Sequence, residues 1–260
     1  MKKLQLLSAI VAVLSLSSCT DDATAVGGSA SVNVRLTDAP ALYDKVNIDV
    51  QKIEFNTNNG WNSLSVNTPG VYNLLDFRNG MDVLLAKAEL PAGAVTQMRL
   101  VLGPNNSVVK NGVTYPLETP SSMQSGLKFN WNQTLEENGA YNVWIDFDAA
   151  RSIVKRGNGT YALKPVIRAF SELTDGQIKG YVLPQAANAQ VHVISPANDT
   201  IATALPNLAD GFYMFKGLPA NTYTVSFDAD ATTPYVDQNQ TGVTVVYGQV
   251  NNLGTKTLTQ

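Results

Sequence analysis

Short runs of alternating apolar and polar residues predict β-strands along most of the chain. The first clear run has apolar side chains at Val32, Val34 and Leu36, with polar residues between them. A period of two places successive side chains on opposite faces of a strand, so that one face is buried and the other meets solvent. The same pattern recurs in short segments as far as Val246, with turn residues between them. The sequence therefore predicts an all-β fold of antiparallel β-sandwiches.

The alternation is interrupted at two points that predict specific backbone features. The apolar positions are even up to Val50 and odd from Ile53 onward, so we expect a β-bulge near Gln51-Lys52. Asn58-Asn59-Gly60 follows this strand, and an Asn-Gly pair tolerates the positive φ angles that tight hairpin turns require. The pattern thus predicts a bulged strand that ends in a hairpin.

Helices are expected at only two places. Residues 82–90 and 148–154 have compositions compatible with short helices. In the second segment Asp148 is the expected N-cap, because its carboxylate can accept a hydrogen bond from a backbone N–H of the first turn.

A polar stretch over residues 171–176 separates two groups of predicted strands. We expect the domain boundary there. This gives two antiparallel β-sandwich domains in tandem, one over residues 30–172 and the other over 176–260.

The N-terminal residues have the pattern of a lipoprotein signal peptide. The basic start Met1-Lys2-Lys3 precedes an apolar run from Leu4 to Leu16, and small residues lead to Cys19. An apolar run of roughly fifteen residues falls short of the roughly twenty needed to span a bilayer. We therefore expect residues 1–18 to be removed and Cys19 to be lipidated, with residues 19–29 forming a flexible tether.

Lipidation of Cys19 would attach the protein to a membrane. We expect an outer membrane lipoprotein that faces either the periplasm or the cell surface. The acidic pair Asp21-Asp22 fits a surface-export signal as well as an ordinary solvated tether, so the leaflet stays open. A plain secretory signal with an incidental cysteine is the alternative.

Composition argues against several functional classes. The chain has one cysteine, one histidine and a formal net charge of −3. A mildly acidic chain without a basic cluster is a poor nucleic-acid binder. His192 lies between two valines of a predicted strand, and no Gly-x-Ser-x-Gly motif is present, so a hydrolase triad is not expected. We expect no enzyme activity, no cofactor and no metal site, since zinc would need several His or Cys ligands.

The C-terminal residues resemble a known family. Residues 176–182, 189–193 and 210–225 match the carboxypeptidase-regulatory-like domain in order, including its Asp-Gly turn, its Leu-Pro turn and its Tyr-x-Val strand. Asn221 stands where that family usually has glycine, but asparagine also tolerates positive φ. The resemblance covers nearly all of residues 176–260 and implies a small transthyretin-like sandwich. Such domains usually serve as spacers or docking modules, and they share a fold with some starch-binding domains.

The residues of the first predicted sandwich resemble a second family. Residues 31–170 are similar to the N-terminal domain of bacterial lipoproteins known as domain of unknown function 4382. The matching segments are Leu36-Thr37-Asp38-Ala39-Pro40, Gly60-Trp61, Leu90-Pro91-Ala92-Gly93, Ile145-Asp146-Phe147-Asp148, Ser152-Ile153 and Leu163-Lys164-Pro165-Val166-Ile167-Arg168. This resemblance implies no known activity.

One strand carries the candidate ligand-binding residues. Asn142, Trp144 and Asp146 are two residues apart, so a strand would place them on one face, together with Asp148. Trp144 is the better candidate for an exposed aromatic platform that binds sugar, although packing under a loop explains its position equally well. Trp61 and Trp131 are expected to be packed in the core. Paired carboxylates beside a tryptophan also occur in glycosidases, but a solvent face that ends in a capped turn is the simpler interpretation. Whether Asp146 and Asp148 bind a cation stays open.

Two functional hypotheses follow. The first is a non-enzymatic surface binding module with glycan as its ligand class. The second is a structural spacer, or a docking subunit of a larger envelope complex, with a protein partner and no small-molecule ligand. An exposed Trp144 beside Asp146 would favour the first, whereas complete burial of all three tryptophans, together with a flat apolar patch on either domain, would favour the second.

Overall fold

The computed structural model describes residues 28–58, 60–120 and 125–260. The expected signal peptide, Cys19 and nearly all of the tether lie outside these residues, as does Asn59 of the hairpin turn. Among the described residues, no helix combines the length and the apolar character needed to cross a bilayer.

The structure is almost entirely β-sheet, as the alternation predicts. The strands are β1 Ser29–Ala39, β2 Lys45–Thr57, β3 Gly60–Asn73, β4 Val83–Pro91, β5 Gly93–Leu102, β6 Ser107–Lys110, β7 Val113–Glu118, β8 Leu127–Leu135, β9 Ala140–Asp148, β10 Ile153–Lys155, β11 Tyr161–Leu163, β12 Ile167–Ser171, β13 Gly176–Leu183, β14 Gln190–Ile194, β15 Thr200–Ala204, β16 Phe212–Leu218, β17 Asn221–Asp228, β18 Gln238–Val245 and β19 Val250–Thr257. One short α-helix, α1, covers Ala149–Ser152, and 3₁₀ turns cover Leu74–Phe77 and Gln185–Ala187.

Strands β1 to β12 form the first unit, which we call the N-terminal sandwich. One sheet has the order β12-β9-β1-β4, and the other has the order β10-β11-β7-β6-β2-β5-β8 with β3 paired to β2. The apolar faces of both sheets contribute to one continuous core, in which Leu36, Ile48, Phe55 and Phe147 are fully buried. The inward positions predicted by the alternation therefore form this core.

Strands β13 to β19 form the second unit, the C-terminal sandwich. Its sheets have the orders β16-β13-β19 and β15-β14-β17-β18. A separate hydrophobic core lies between them, centred on Tyr213, Phe227 and Val225. The all-β sandwich class is thus confirmed, while the domain boundaries at 30–172 and 176–260 stay a prediction.

Three strand pairs are parallel, which the alternation does not predict. They are β1 with β9, β7 with β11, and β13 with β19. Apolar periodicity specifies which face of a strand is buried, but not which neighbour the strand pairs with or in which direction. Strand direction is therefore a product of the chain topology.

The predicted backbone features occur where expected. The register of β2 against both β3 and β5 shifts between Val50 and Lys52, which confirms the bulge. Thr57 pairs with Gly60, which confirms that β2 and β3 form a hairpin. The Asp148 carboxylate accepts a hydrogen bond from the Arg151 N–H at 2.9 Å, which confirms the N-cap of α1.

The helix predicted over residues 82–90 is wrong. Most of this segment is strand β4, which pairs antiparallel with β1 from Ser29↔Pro91 to Leu36↔Val83. Its leucines, alanines, lysine and glutamate favour helix locally, but helix propensity is worth only tenths of a kcal/mol per residue. Pairing with β1 and burial of Leu85 and Leu90 outweigh that preference.

Candidate functional site

Trp144 is buried, as the packing alternative predicts, and it does not form an exposed aromatic platform. Only 6% of this residue is exposed. Its ring stacks on Phe170 with the centroids 5.7 Å apart and the planes 6° from parallel. Its indole N–H donates a hydrogen bond to the Asp82 carboxylate at 3.0 Å. The Lys216 ammonium also lies 5.6 Å from the ring centroid, so the ring takes part in a stacking contact, a hydrogen bond and a cation–π contact within the protein.

Asp82 is the centre of this arrangement. Besides Trp144, its carboxylate accepts hydrogen bonds from Arg35 Nε at 2.5 Å and from Lys216 Nζ at 3.1 Å. Burial by itself would raise the pKa of Asp82, but the three hydrogen bonds and the nearby positive charge hold it below its usual value. Asp82 is therefore ionised at neutral pH and binds a cation from each sandwich.

Asp146 makes a second contact between the sandwiches through an arginine. Only 8% of Asp146 is exposed, and its carboxylate accepts a hydrogen bond from Arg168 Nε at 2.8 Å. The same guanidinium donates to the backbone carbonyl of Gly217 at 2.6 Å and to that of Lys216 at 3.2 Å. Asp146 thus orients an arginine that binds the backbone of β16.

Asn142 is exposed to solvent, whereas Trp144 and Asp146 are buried. It shares their face of β9, as predicted, but it is exposed and accepts a hydrogen bond from Asn33 Nδ2 at 3.0 Å. The three predicted ligand-binding side chains therefore do not line one open site. Trp144 and Asp146 are covered by residues that the strand periodicity of β9 could not reveal.

Further contacts complete this surface, which we call the interdomain junction. Asn79 Nδ2 donates to the Leu205 carbonyl at 2.8 Å. Gly80 lies against the flexible Met214 side chain, and Gly217 lies against the Phe170 ring, which leaves no room for a side chain at Gly217. The Arg168 bonds occupy two backbone carbonyls of β16, which is an edge strand of its sheet.

Asp38 lies beside the junction and is buried. Its Oδ1 accepts a hydrogen bond from the Ala149 N–H at 3.0 Å, while Oδ2 has no hydrogen-bond partner among the described residues. Burial raises the pKa of Asp38 well above its usual value, and the Asp146 and Asp148 carboxylates add to the effect. Across residues 28–58, 60–120 and 125–260, no group of three or more His, Cys, Asp or Glu side chains is arranged to hold a metal ion.

The remaining aromatic and titratable candidates have structural partners. Trp131 is 5% exposed and packs edge-on against Phe55. Trp61 is 36% exposed, so its expected place in the core is wrong; the Arg99 guanidinium lies 4.4 Å from its ring centroid. His192 lies on β14, where its Nδ1 is 2.9 Å from the Thr203 hydroxyl.

The family comparison bears on the N-terminal sandwich. The family model for a domain of unknown function, DUF4382, matches residues 29–165. The chain belongs to this family. The DUF4382 match spans most of the N-terminal sandwich, including Asp38, Asp82 and Trp144. It ends before β12, so the resemblance of residues 176–260 to the carboxypeptidase-regulatory-like domain stays a prediction.

Structural comparisons give only distant likenesses for this DUF4382 protein. The TIE protein of Bacillus anthracis is similar at 14% identity and a TM-score of 0.26, over 90% of this chain and 35% of that one. A minor pilin of Streptococcus agalactiae is similar at 9% identity and a TM-score of 0.24, over 88% and 96% of the two chains. A fimbrial protein of Bacteroides ovatus is similar at 7% identity and a TM-score of 0.27, over 89% and 50%. The chain thus spans about a third of the length of the TIE protein and half of that of the fimbrial protein. No curated protein matches the chain.

Proposed function

We propose that this protein is a non-enzymatic, lipid-anchored protein of the outer membrane that acts as a rigid spacer. In this function the N-terminal sandwich is tethered to the membrane through Cys19, and it holds the C-terminal sandwich in a fixed orientation for an envelope partner. The single observation that carries the proposal is the desolvated ionic cluster of Asp82, Lys216 and Trp144 between the two sandwiches.

Buried charges favour one fixed arrangement of the two sandwiches. The side chains of Lys216 and Asp82 are only 14% and 11% exposed. Separating the sandwiches would leave Asp82 without one of its cations and would break the Arg168 bonds to the β16 backbone. Since losing one partner of a partly buried, partly compensated charge costs about 1–3 kcal/mol, independent motion of the sandwiches is disfavoured.

The direction of β1 supports a spacer that points away from the membrane. The described chain enters the N-terminal sandwich at Gly28, and β1 then runs to Ala39 beside the C-terminal sandwich. At a rise of about 3.3 Å per residue, β1 separates its entry end from the junction by roughly 33 Å. A tether of residues 19–28 would add at most about 34 Å.

The glycan hypothesis required an exposed aromatic platform at Trp144, and Trp144 is buried. Trp144 is buried against Phe170, and Asp146 is bound to Arg168. The spacer hypothesis uses the same residues in the contacts that they make, so it is the one the geometry favours.

The rigidity of the spacer can be measured by pulsed electron spin resonance. Cys19 is the only cysteine, so Cys19→Ser provides a background free of other thiols for spin labels. One label pair would join the sandwiches through exposed Lys87→Cys and Thr241→Cys. A reference pair, Lys87→Cys with Lys155→Cys, lies within the N-terminal sandwich. We expect distance distributions of equal width, and a much broader one for the first pair would refute the spacer.

Anchoring is tested separately. The Cys19→Ala variant should remain in the soluble fraction after cell breakage, whereas the unchanged protein should resist a carbonate wash of the membranes. A variant that still sediments with washed membranes would refute the lipid anchor while leaving the rigidity result intact.

A further inference from the structure

A large cleft opens between the two sandwiches, next to the interdomain junction. Its volume is about 1070 Å³. One wall comes from the loop at Leu42 and from residues 75–81 of the N-terminal sandwich, and the other from the 3₁₀ turn Gln185–Ala187, the loop of residues 205–211 and the end of β17. Ligand sites occur preferentially between domains, and most small-molecule pockets are roughly 300–1,000 Å³. This cleft is large enough for a segment of a macromolecule.

Three aliphatic side chains stand exposed around the cleft. Leu42, Met81 and Leu208 are 75%, 63% and 79% exposed, and all three line the cleft. They come from three different loops, two on one sandwich and one on the other. Single exposed apolar residues need no explanation, but three that converge on one cleft indicate a surface for apolar groups.

Three carboxylates also line the cleft. Asp228 and Asp230 lie at the end of β17, and Asp76 adds a third carboxylate from the N-terminal sandwich. Arg78 is the one lysine or arginine among the described lining residues, and His192 Nε2 lies 3.5 Å from Asp228 Oδ2. Hydrogen bonds from the Thr232 side chain and backbone and from Asn188 lower the pKa of Asp230, so it is ionised at neutral pH. The cleft therefore combines an apolar surface with an excess of negative charge.

This combination selects the class of occupant. An anionic ligand would be repelled by the carboxylates. A sugar would find only Phe212 as an aromatic among the described lining residues, and that ring already packs edge-on against Tyr181. A second copy of this chain, with a formal net charge of −3, offers no surplus of cations. Charge complementarity favours a basic partner.

We propose that the cleft binds a cationic peptide segment of another protein, with aliphatic side chains against Leu42, Met81 and Leu208 and lysine or arginine beside Asp228 and Asp230. This site goes beyond the spacer function, because it depends on neither the membrane anchor nor the outer membrane location. It specifies the chemistry of the envelope partner, which would bind the cleft through a cationic peptide segment.

The test is fluorescence anisotropy with the Cys19→Ser protein and a fluorescein-labelled octapeptide of alternating leucine and lysine. We expect saturable binding that weakens as the salt concentration rises, because exposed charges are screened. Octapeptides of alternating leucine and glutamate, and of alternating serine and lysine, should each bind at least about ten-fold more weakly, since one loses the charge and the other the apolar contact.

Matched variants locate the site. Leu208→Ser should weaken binding about ten-fold, whereas Leu173→Ser, which is 65% exposed elsewhere, should leave it unchanged. The double variant Asp228→Asn with Asp230→Asn should reduce both affinity and salt dependence, and Asp199→Asn should not. Equal binding by Leu208→Ser and Leu173→Ser, equal binding of the glutamate peptide, or no binding at millimolar peptide would each overturn the proposal.

Discussion

At the scale of single residues, Lys216 and Asp82 have the greatest consequence for the molecule. They lie on different sandwiches, 134 positions apart in sequence, and meet at 3.1 Å. Each is a charged residue with little exposure, so Lys216 is compensated by Asp82, and Asp82 is compensated by Lys216 together with Arg35. Their contact links the stability of one sandwich to the position of the other.

Replacing Lys216 by methionine tests this link. Lys216→Met keeps most of the side-chain volume but removes the cation, while Asp82 retains Arg35 and Trp144. We expect the free energy of unfolding to fall by about 1–3 kcal/mol, the usual range for a buried charged partner that is partly compensated. The exposed Lys87→Met variant should change it by less than about 0.5 kcal/mol. Urea denaturation of both variants measures the difference, and equal values would argue against an energetic role for the contact.

Asp38 predicts a specific dependence of stability on pH. Its pKa is higher in the folded protein than in the unfolded chain because burial disfavours the carboxylate. The folded state therefore binds this proton more tightly, and the resulting stability is present at low pH and is lost as the pH rises above the unfolded pKa. Asp38→Asn cannot ionise, so its stability relative to the unchanged protein should increase from pH 4 to pH 8. Urea denaturation across this range gives the sign, and a difference that is independent of pH would contradict it.

At the scale of elements, β16 and its glycine are fitted to the N-terminal sandwich. Gly217 has φ of +68°, and a side chain there would meet the Phe170 ring at 2.5 Å. Phe170 lies on β12. Arg168, also on β12, donates hydrogen bonds to the carbonyls of Gly217 and Lys216 in β16. Strand β12, the last strand of the N-terminal sandwich, thus packs directly on β16, an edge strand of the C-terminal sandwich.

A matched pair of glycine variants separates packing from backbone strain. Gly254 has nearly the same φ of +69° but has no atoms within 4 Å of the position a side chain would occupy. Gly254→Ala should cost about 1–2 kcal/mol, the price of a left-handed conformation for an L-residue. Gly217→Ala should cost a further 1–3 kcal/mol, roughly the penalty for overpacking. Equal losses in thermal or urea unfolding would mean that the Phe170 contact is unimportant.

At the scale of the whole molecule, two hydrophobic cores are joined by a polar, desolvated surface. Because the two cores are separate, each sandwich could unfold without disrupting the core of the other. The Asp82 cluster, the Arg168 bonds and the Asn79 bond to Leu205 oppose this, because they are lost when either sandwich unfolds. The junction therefore determines whether the molecule behaves as one cooperative unit.

Calorimetry tests that cooperativity. We expect one unfolding transition for residues 20–260, with calorimetric and van't Hoff enthalpies in agreement. In Lys216→Met the ratio of the calorimetric to the van't Hoff enthalpy should rise above one, because the two sandwiches then unfold less cooperatively. Two resolved transitions in the unchanged protein would contradict the rigid spacer directly.

Features that depend on local chemistry were predictable from the sequence. The bulge between Val50 and Lys52 followed from a change of apolar phase, and the Asp148 cap followed from its hydrogen-bonding capacity. The inward positions of β1 and β9 followed from a period of two. In each case the deciding interaction lies within a few residues along the chain, so a single sequence contains the signal.

Features that depend on distant partners were decided by the tertiary structure alone. Residues 82–90 favour helix locally, yet pairing with β1 makes most of them strand β4. Trp144 lies on the polar face of β9 as predicted, but Asp82, Phe170 and Lys216 close over that face. Periodicity assigns a residue to a face of its own strand, whereas burial depends on what the rest of the chain brings to that face. The sequence by itself therefore determined the strands and their inner faces, and the packing of one sandwich on the other decided which polar faces are open to a ligand.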